Sequence, residues 1–482
     1  MVKAIKSSEG RLTMVALGLA AGLGVTVALP LAGAAIVIAM AAVAFLTLTR
    51  RDAVSLLSIT VAAAYILPAR YAIVGLGPTG VPAVLVGLFA LFWWFAAQAS
   101  IESGVAHGLQ PIRIALLVFG CTTLIGAATA FAHSITEGET NQVERTLINY
   151  GAYFGVALLA ADGISSRERL DALMRRLVWA GVFIGLIGIF QFIVRIDPYA
   201  HLQIPGFREW IPPGVTVFGA RSGFERALGT SEQPIEYAAV LTALLPIAVH
   251  YAMNAPRERR LQDWTAVAVI LLAIPLSISR TAIVGLVVGL AFLAAAWSWR
   301  QRLSATVLAV MGVLAARVIA PGLVGTFYSL IVNSSQDNSV IGRTDRYPVI
   351  EQLFYYSPIF GSGLGRDRPS LPFVDNQYLS TLIDTGAIGF VALGLVFVIA
   401  ISTARGARHR SADPSTRSLG QALAASIAVT LATFVTYDGL SFRVASLTLF
   451  MVIGTSGALW RIARAPAPAP ELVATLNQPV PA

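Results

Sequence analysis

Charge is what this sequence has least of. Of its 482 residues only 12% are Asp, Glu, Lys or Arg, about half the share carried by soluble domains. That deficit excludes a disordered chain, a coiled coil and an ordinary soluble enzyme. Cysteine is nearly absent. The single Cys121 lies in an apolar run, so neither an intrachain disulfide nor a cysteine-based metal centre can form. The five histidines, His107, His133, His201, His250 and His409, are scattered singly and support no metal cluster. Lysine occurs only at Lys3 and Lys6, a base-composition bias more than a chemical signal.

Apolar sequence is what is abundant: 56% of the residues are hydrophobic and the mean hydropathy is +0.74. A membrane span needs about 20 mostly apolar residues in a helix. Such runs fall near 12–29, 31–49, 54–72, 81–99, 113–133, 146–162, 177–194, 235–252, 264–279, 281–299, 303–320, 378–403, 419–436 and 442–460. The expected fold class is an all-α polytopic membrane protein of about 12–14 spans, a single transmembrane domain over 1–464 followed by a Pro/Ala-rich, disordered cytoplasmic tail over 465–482. Pro30 marks either a hairpin between two spans or a break in one long element. The run 264–299 is either two spans meeting at Ser279-Arg280 or one distorted span. The basic N-terminus and small residues around Ala32-Gly33-Ala34 resemble a signal peptide, but a second apolar run follows at once, which favours an uncleaved first helix.

Basic residues near span ends prefer the cytoplasm. With fourteen spans, about 21 of the 34 basic residues fall on one side, from Lys3 and Arg50 through Arg167, Arg257 and Arg300 to Arg405 and Arg461. Both termini are then cytoplasmic. The net charge of +9 becomes a topology signal, which removes most of the case for a nucleic-acid partner, and none is expected. The two long hydrophilic stretches, about 195–234 and 321–377, face outward, as does the turn at Arg280. Long loops on a rigid scaffold are where function tends to sit.

Those outer segments carry arginines against the positive-inside preference: Arg221, Arg226, Arg280, Arg343 and Arg346. Arginine forks match phosphate oxygens, and lipid phosphates lie at this depth. Asp375 follows in the second loop, a carboxylate able to take a proton from a sugar hydroxyl. Together these groups suffice for metal-independent glycosyl transfer, the arginines offsetting charge on a diphosphate leaving group. Plainer roles stand beside these. A single outer arginine, Arg221 and Arg346 in particular, suits headgroup contact, and Asp375 suits a helix N-cap. The segment 343–356 has apolar positions at helical spacing and reads as an interfacial or re-entrant helix. Gly361, Gly363 and Gly365 permit a tight turn or close backbone approach to a ligand.

Three stretches carry a family resemblance. They are Arg226-Ala-Leu-Gly-Thr through Pro234; Ser279-Arg280-Thr-Ala; and the run from Gly342-Arg343 through Pro358-Ile-Phe-Gly-Ser-Gly-Leu-Gly365 to Asp375-Asn376-Gln-Tyr378-Leu and Gly386-Ala-Ile-Gly389. With them the chain resembles the O-antigen ligase and O-antigen polymerase superfamily, GT-C-like glycosyltransferases of the bacterial cytoplasmic membrane. The resemblance implies transfer of a glycan from a polyprenyl-diphosphate carrier to a lipid or glycan acceptor on the outer face, with no metal, nucleotide or other cofactor. It matches Asp375 to the family's critical histidine and sets Arg343, Arg280 and Arg226 on the diphosphate. Arg221, Arg346, Asn376 and Tyr378 follow as supporting substrate-binding residues. The rival class is a transporter or flippase of a lipid-linked or anionic solute, disfavoured by span interiors nearly free of acids and bases.

Overall fold

The computed structural model describes residues 52–98, 105–132, 135–200, 204–210, 220–221, 224–319, 322, 325, 328, 332, 345–365 and 374–464. The expected spans 12–29 and 31–49, the tail 465–482 and Arg343 lie outside them. Among the described residues there are thirteen α-helices: α1 Ala53–Ile66, α2 Pro82–Gln98, α3 Pro111–Phe131, α4 Glu137–Gly163, α5 Arg167–Val194, α6 Pro234–Met253, α7 Arg260–Ala273, α8 Arg280–Ala294, α9 Trp299–Ile319, α10 Tyr347–Tyr356, α11 Gln377–Arg410, α12 Pro414–Thr433 and α13 Arg443–Arg464. Each of the other twelve expected spans coincides with one of these helices, and α10 is the helix read in 343–356. Six segments are long and apolar enough to cross a bilayer, and α1, α2 and α8 are shorter apolar helices. The protein is an all-α polytopic membrane protein.

Local chemistry sets the helix starts. Thr136 and Glu139 form a capping box on α4. Ser166, Ser279, Asn376 and Asp413 cap α5, α8, α11 and α12 through their side chains. Proline occupies the first turn of α3, α6 and α12, where its missing N–H costs nothing. The run 264–299 resolves into two helices. A 3-10 turn over Ile274–Ser277 and a left-handed Ile278 (φ 44°) end α7, and Ser279 then caps α8.

The most enclosed helices are α6 and α13, with 94% and 83% of their apolar windows buried, against 39–44% for the other four long spans. Half-exposed helices turn one face to lipid; enclosed ones form the bundle centre. Small residues permit close helix contact there. A Cβ on Gly155 of α4 would fall 2.4 Å from Gly87 O of α2, and one on Gly454 of α13 would fall 2.3 Å from Ala157 O of α4.

Alternation of the helices gathers the charges of the described residues at two ends. At the arginine-rich end Arg113 meets Asp162 at 2.9 Å and Arg175 meets Asp263 at 2.8 Å. Arg169 pairs with Asp52, and Arg167 bonds Asp171, Thr416 and Ser415. The other end, here called the loop end, holds the described residues of the connections 67–81, 195–233, 274–279, 320–376 and 434–442. Two short antiparallel ribbons lie there, which the all-helical reading did not anticipate. Strand β1, Tyr71–Ile73, pairs with β2, Phe207–Glu209, and β3, Ala220–Arg221, pairs with β4, Phe224–Glu225. Arg70 anchors the first ribbon through Asp197 and through Glu209 at 2.7 Å.

Candidate functional site

The site is built around the turn between α12 and α13, residues 434–442. Gln377, at the start of α11, is buried and acts as its rivet. Its N–H donates to Phe434 O and Tyr437 O at 2.9 and 3.1 Å, and its side-chain oxygen accepts the Leu440 N–H at 2.6 Å. This holds Asp375 and Asn376 against the turn. From the other side Thr281, the residue after Arg280, shares a 2.8 Å hydroxyl contact with Thr436. Arg226 joins through the loop before α8: its Nε donates to Ser277 O at 3.0 Å, and the next residue, Ala227, donates its N–H to Leu276 O at 2.9 Å. Arg280 and Asp375, far apart in sequence, thus stand at the starts of two helices tied to the 434–442 turn, while Arg226 binds the 274–279 turn that precedes Arg280.

The remaining candidates divide. Asn376 is the N-cap of α11, accepting from Tyr378 N at 2.9 Å, so the capping role considered for Asp375 belongs to its neighbour. Asp375 is exposed. Tyr378 donates to Leu431 O at 2.5 Å and packs on Phe390 and Phe434, which makes it a packing residue of the α11–α12 contact. Arg346 caps α10, which rests on α11 through Ile350 and Ile383. Arg221 sits in strand β3. Arg343 lies outside the described residues.

The glycine loop packs on the chain itself. Gly386 breaks α11 with φ 67° and ψ −167°, and residues 358–365 fill the break. Ala387 and Ile388 donate their N–H groups to Pro358 O and Ile359 O, Ser362 donates to Ile383 O, and Leu364 donates to Gly126 O of α3. A Cβ on Gly386 would stand 2.2 Å from Ile359 O, and one on Gly361 2.5 Å from Asp384 C and O. Only glycine tolerates both the left-handed backbone and that approach.

Two acids that the sequence reading passed over complete the site. Asp384 lies one turn beyond Ser380 on α11, and Gly365 N–H reaches its Oδ2 at 3.4 Å. Asp438, half-buried on the central turn, accepts from Ser441 Oγ at 2.6 Å and more loosely from Ser380 Oγ at 3.5 Å. Enclosure pushes the Asp438 carboxyl up to about 7; repulsion from Asp384 and Asp375 adds to this, while the two serine hydroxyls oppose it. A motif search favours acids beside signature residues. Asp438 stands more than sixty positions after Asp375, and its one signal was its place at a span boundary.

A separate ion network lies on the α6–α13 side. Glu232, just ahead of α6, accepts from Arg443 Nη1 at 2.7 Å, and the Arg443 guanidinium carbon lies 4.8 Å from the Trp210 ring centre. Burial raises the Glu232 carboxyl and the Arg443 guanidinium pulls it back. Glu236 accepts from Val444 N and Ala445 N at 2.8 and 3.1 Å, capping α13. Its three backbone donors, Glu232 N included, fit an architectural role.

Residues 265–394 match the family model described as O-antigen ligase, a segment that includes Arg280, Asp375, Asp384 and the glycine loop. The matched segment holds two of the three stretches that carry the resemblance noted in the sequence, Ser279-Arg280 and the run from Gly342 to Gly389. No curated protein matches the chain. One solved chain, from work described as "Structural coordination of polymerization and crosslinking by a peptidoglycan synthase complex", is similar at 16% identity over 73% of this chain and 98% of that one, with a TM-score of 0.40.

Proposed function

We propose that this protein is a glycosyltransferase of surface-polysaccharide assembly that moves a glycan from a polyprenyl-diphosphate carrier to a lipid or glycan acceptor. The observation that supports it most is that Arg280 and Asp375 stand at the starts of two helices tied to the 434–442 turn, with Arg226 bonded to the turn just before Arg280, inside or beside the O-antigen ligase match. In this reading Asp375, the exposed carboxylate, takes the proton of the acceptor hydroxyl. The freed oxygen attacks the anomeric carbon, the bond from that carbon to the phosphate oxygen breaks, and the polyprenyl diphosphate leaves as an anion. Arg280 and Arg343 hold that anion. Arg226, bonded to Ser277 O, steadies the turn that presents Arg280. Arg221 and Arg346 are further contacts to donor or headgroup phosphate. The site faces the extracytoplasmic side of a bacterial cytoplasmic membrane, opposite the arginine-rich end, with both termini cytoplasmic.

Purified Asp375→Ala and Arg343→Ala proteins, given a polyprenyl-diphosphate glycan and acceptor, are expected to lose transfer; full activity in both variants would sink these roles. Glycan length in a deletion strain separates the two family activities. Short chains indicate a polymerase, and full-length polymer left on its carrier indicates a ligase. The break in α11 favours the transporter reading at first sight, because transporters bind substrate at broken helices. Here the broken ends are occupied by residues 358–362 of the same chain.

A further inference from the structure

The arginines of the arginine-rich end divide into two groups. On α3 and α5 four of them meet acids: Arg113 with Asp162, Arg167 with Asp171, Arg169 with Asp52 and Arg175 with Asp263. Where α11, α12 and α13 come together the arginines are unmatched. Arg405, Arg408 and Arg410 end α11, Arg417 lies near the start of α12 and Arg464 closes α13. None of these five forms an ion pair among the described residues. Asp413, which lies between them in sequence, is engaged as the cap of α12: its oxygens accept the Ser415 and Thr416 N–H groups at 3.2 and 2.9 Å and the Thr416 hydroxyl at 2.7 Å.

Packing brings the five together. A Cβ on Gly420 of α12 would stand 3.2 Å from Arg408 Cβ, and Arg417 lies one turn before Gly420, so both arginines share the α11–α12 junction. Across α11, a Cβ on Gly406 would stand 3.2 Å from Trp460 Cδ1 of α13. The Arg464 and Arg410 guanidinium carbons lie 4.4 and 5.6 Å from the centre of that indole. The ring steadies both side chains and leaves their charge in place. The side of α11 that faces lipid leads into this cluster. Val391, Leu395, Val398, Ser402 and Arg405 are all exposed and follow one another at steps of four and three, which makes them one stripe along the helix. Three apolar side chains, then a hydroxyl, then a guanidinium repeat the order of acyl chain, ester and phosphate in a phospholipid.

We infer that the junction of α11, α12 and α13 binds an anionic phospholipid, its phosphate against Arg405, Arg408 and Arg417 and an acyl chain along Val391, Leu395 and Val398. Arginine forks match phosphate oxygens, and each cation beside a membrane surface strengthens binding of anionic lipid by about fivefold. A free phosphate fits the guanidiniums alone; the apolar stripe selects a lipid. The cluster lies at the end opposite the 434–442 turn, so lipid binding here is independent of glycosyl transfer.

Full-length protein in neutral detergent, given phosphatidylglycerol or phosphatidylcholine, is read by native mass spectrometry and by melting temperature. The wild type is expected to retain phosphatidylglycerol at a concentration about tenfold lower than phosphatidylcholine, and to melt higher with it. Replacing Arg405, Arg408 and Arg417 together by Gln should abolish the preference. The control removes three other exposed arginines of the same end, Arg257, Arg259 and Arg260 at the start of α7; their replacement by Gln should leave the preference intact. Equal losses in the two triple variants would reduce the effect to diffuse charge and overturn the site. A wild type that retains both lipids equally overturns it as well, and that result needs no variant to fold. Raising salt from about 0.1 to about 1 M should weaken retention of phosphatidylglycerol and leave phosphatidylcholine unaffected; a preference indifferent to salt would overturn the arginine contacts. Inorganic phosphate at the same concentration should leave the melting temperature unchanged, and protection equal to that of the lipid would overturn the lipid assignment in favour of a plain anion site.

Discussion

The two ends of the bundle use charge in different ways. At the arginine-rich end carboxylates are matched across helices: Asp162 to Arg113, Asp263 to Arg175 and Asp52 to Arg169. Arg175 also lies over Tyr251, 4.3 Å from its ring centre. Such pairs tie helices together and leave little chemistry over. At the loop end the buried pairs Arg70–Asp197 and Glu232–Arg443 have the same architectural character. A few residues away Asp438, on the 434–442 turn, accepts only serine hydroxyls among the described residues and feels the negative charge of Asp384 and Asp375. Keeping like charges close costs folding energy, and a fold tolerates that cost where the charges have work to do.

The sharpest way to break this contrast is to remove the site's own groups. Asp375→Ala or Arg280→Ala should lower transfer by about 10²-fold or more while the protein stays folded, measured by the assay above together with a melting curve. Arg443→Met should do the reverse, acting on stability: stranding Glu232 is expected to cost about 3–5 kcal/mol, read as a lower melting temperature in detergent. Adding Glu232→Gln to that variant should recover much of the loss, and a double variant no better than the single would show that the pair is not what holds α6 to α13. Gly386→Ala forces a side chain onto Ile359 O in a left-handed backbone and should cost about 1–3 kcal/mol or more, with protease sensitivity in the 358–365 loop as the readout. Smallest of all, Arg169→Gln at a partly exposed pair should cost about 0.5 kcal/mol and leave transfer unchanged. A loss of transfer there would blur the distinction between the ends.

Helix positions were legible in the sequence because each span is an uninterrupted apolar run and lipid admits few other backbone solutions. Arg226, Arg280 and Asp375 were legible because polar groups near span ends stand out against apolar surroundings. The roles of Asn376 and Tyr378 were not. A cap and a substrate contact call for the same residue type, and only the hydrogen bond from Tyr378 N to Asn376 and the packing of Tyr378 on Phe434 separate them. The glycines of 361–365 were read as a tight turn or a close approach to a ligand; the structure shows left-handed glycines in close approach to α3, α4 and α11 of the chain itself.

The amino-acid order alone determined that this chain lives in lipid as a helical bundle, because apolar runs of span length have no stable alternative in water. It also determined which residues lie at the span ends. Which of those residues meet was decided by tertiary packing. Gln377 and Thr281 reach the 434–442 turn, and Arg226 reaches Ser277, across gaps of dozens of positions, through hydrogen bonds that no local pattern encodes. The same holds for Asp438: its neighbours Asp375 and Asp384 come from another helix, so the chemistry of its carboxyl exists only once the bundle has closed.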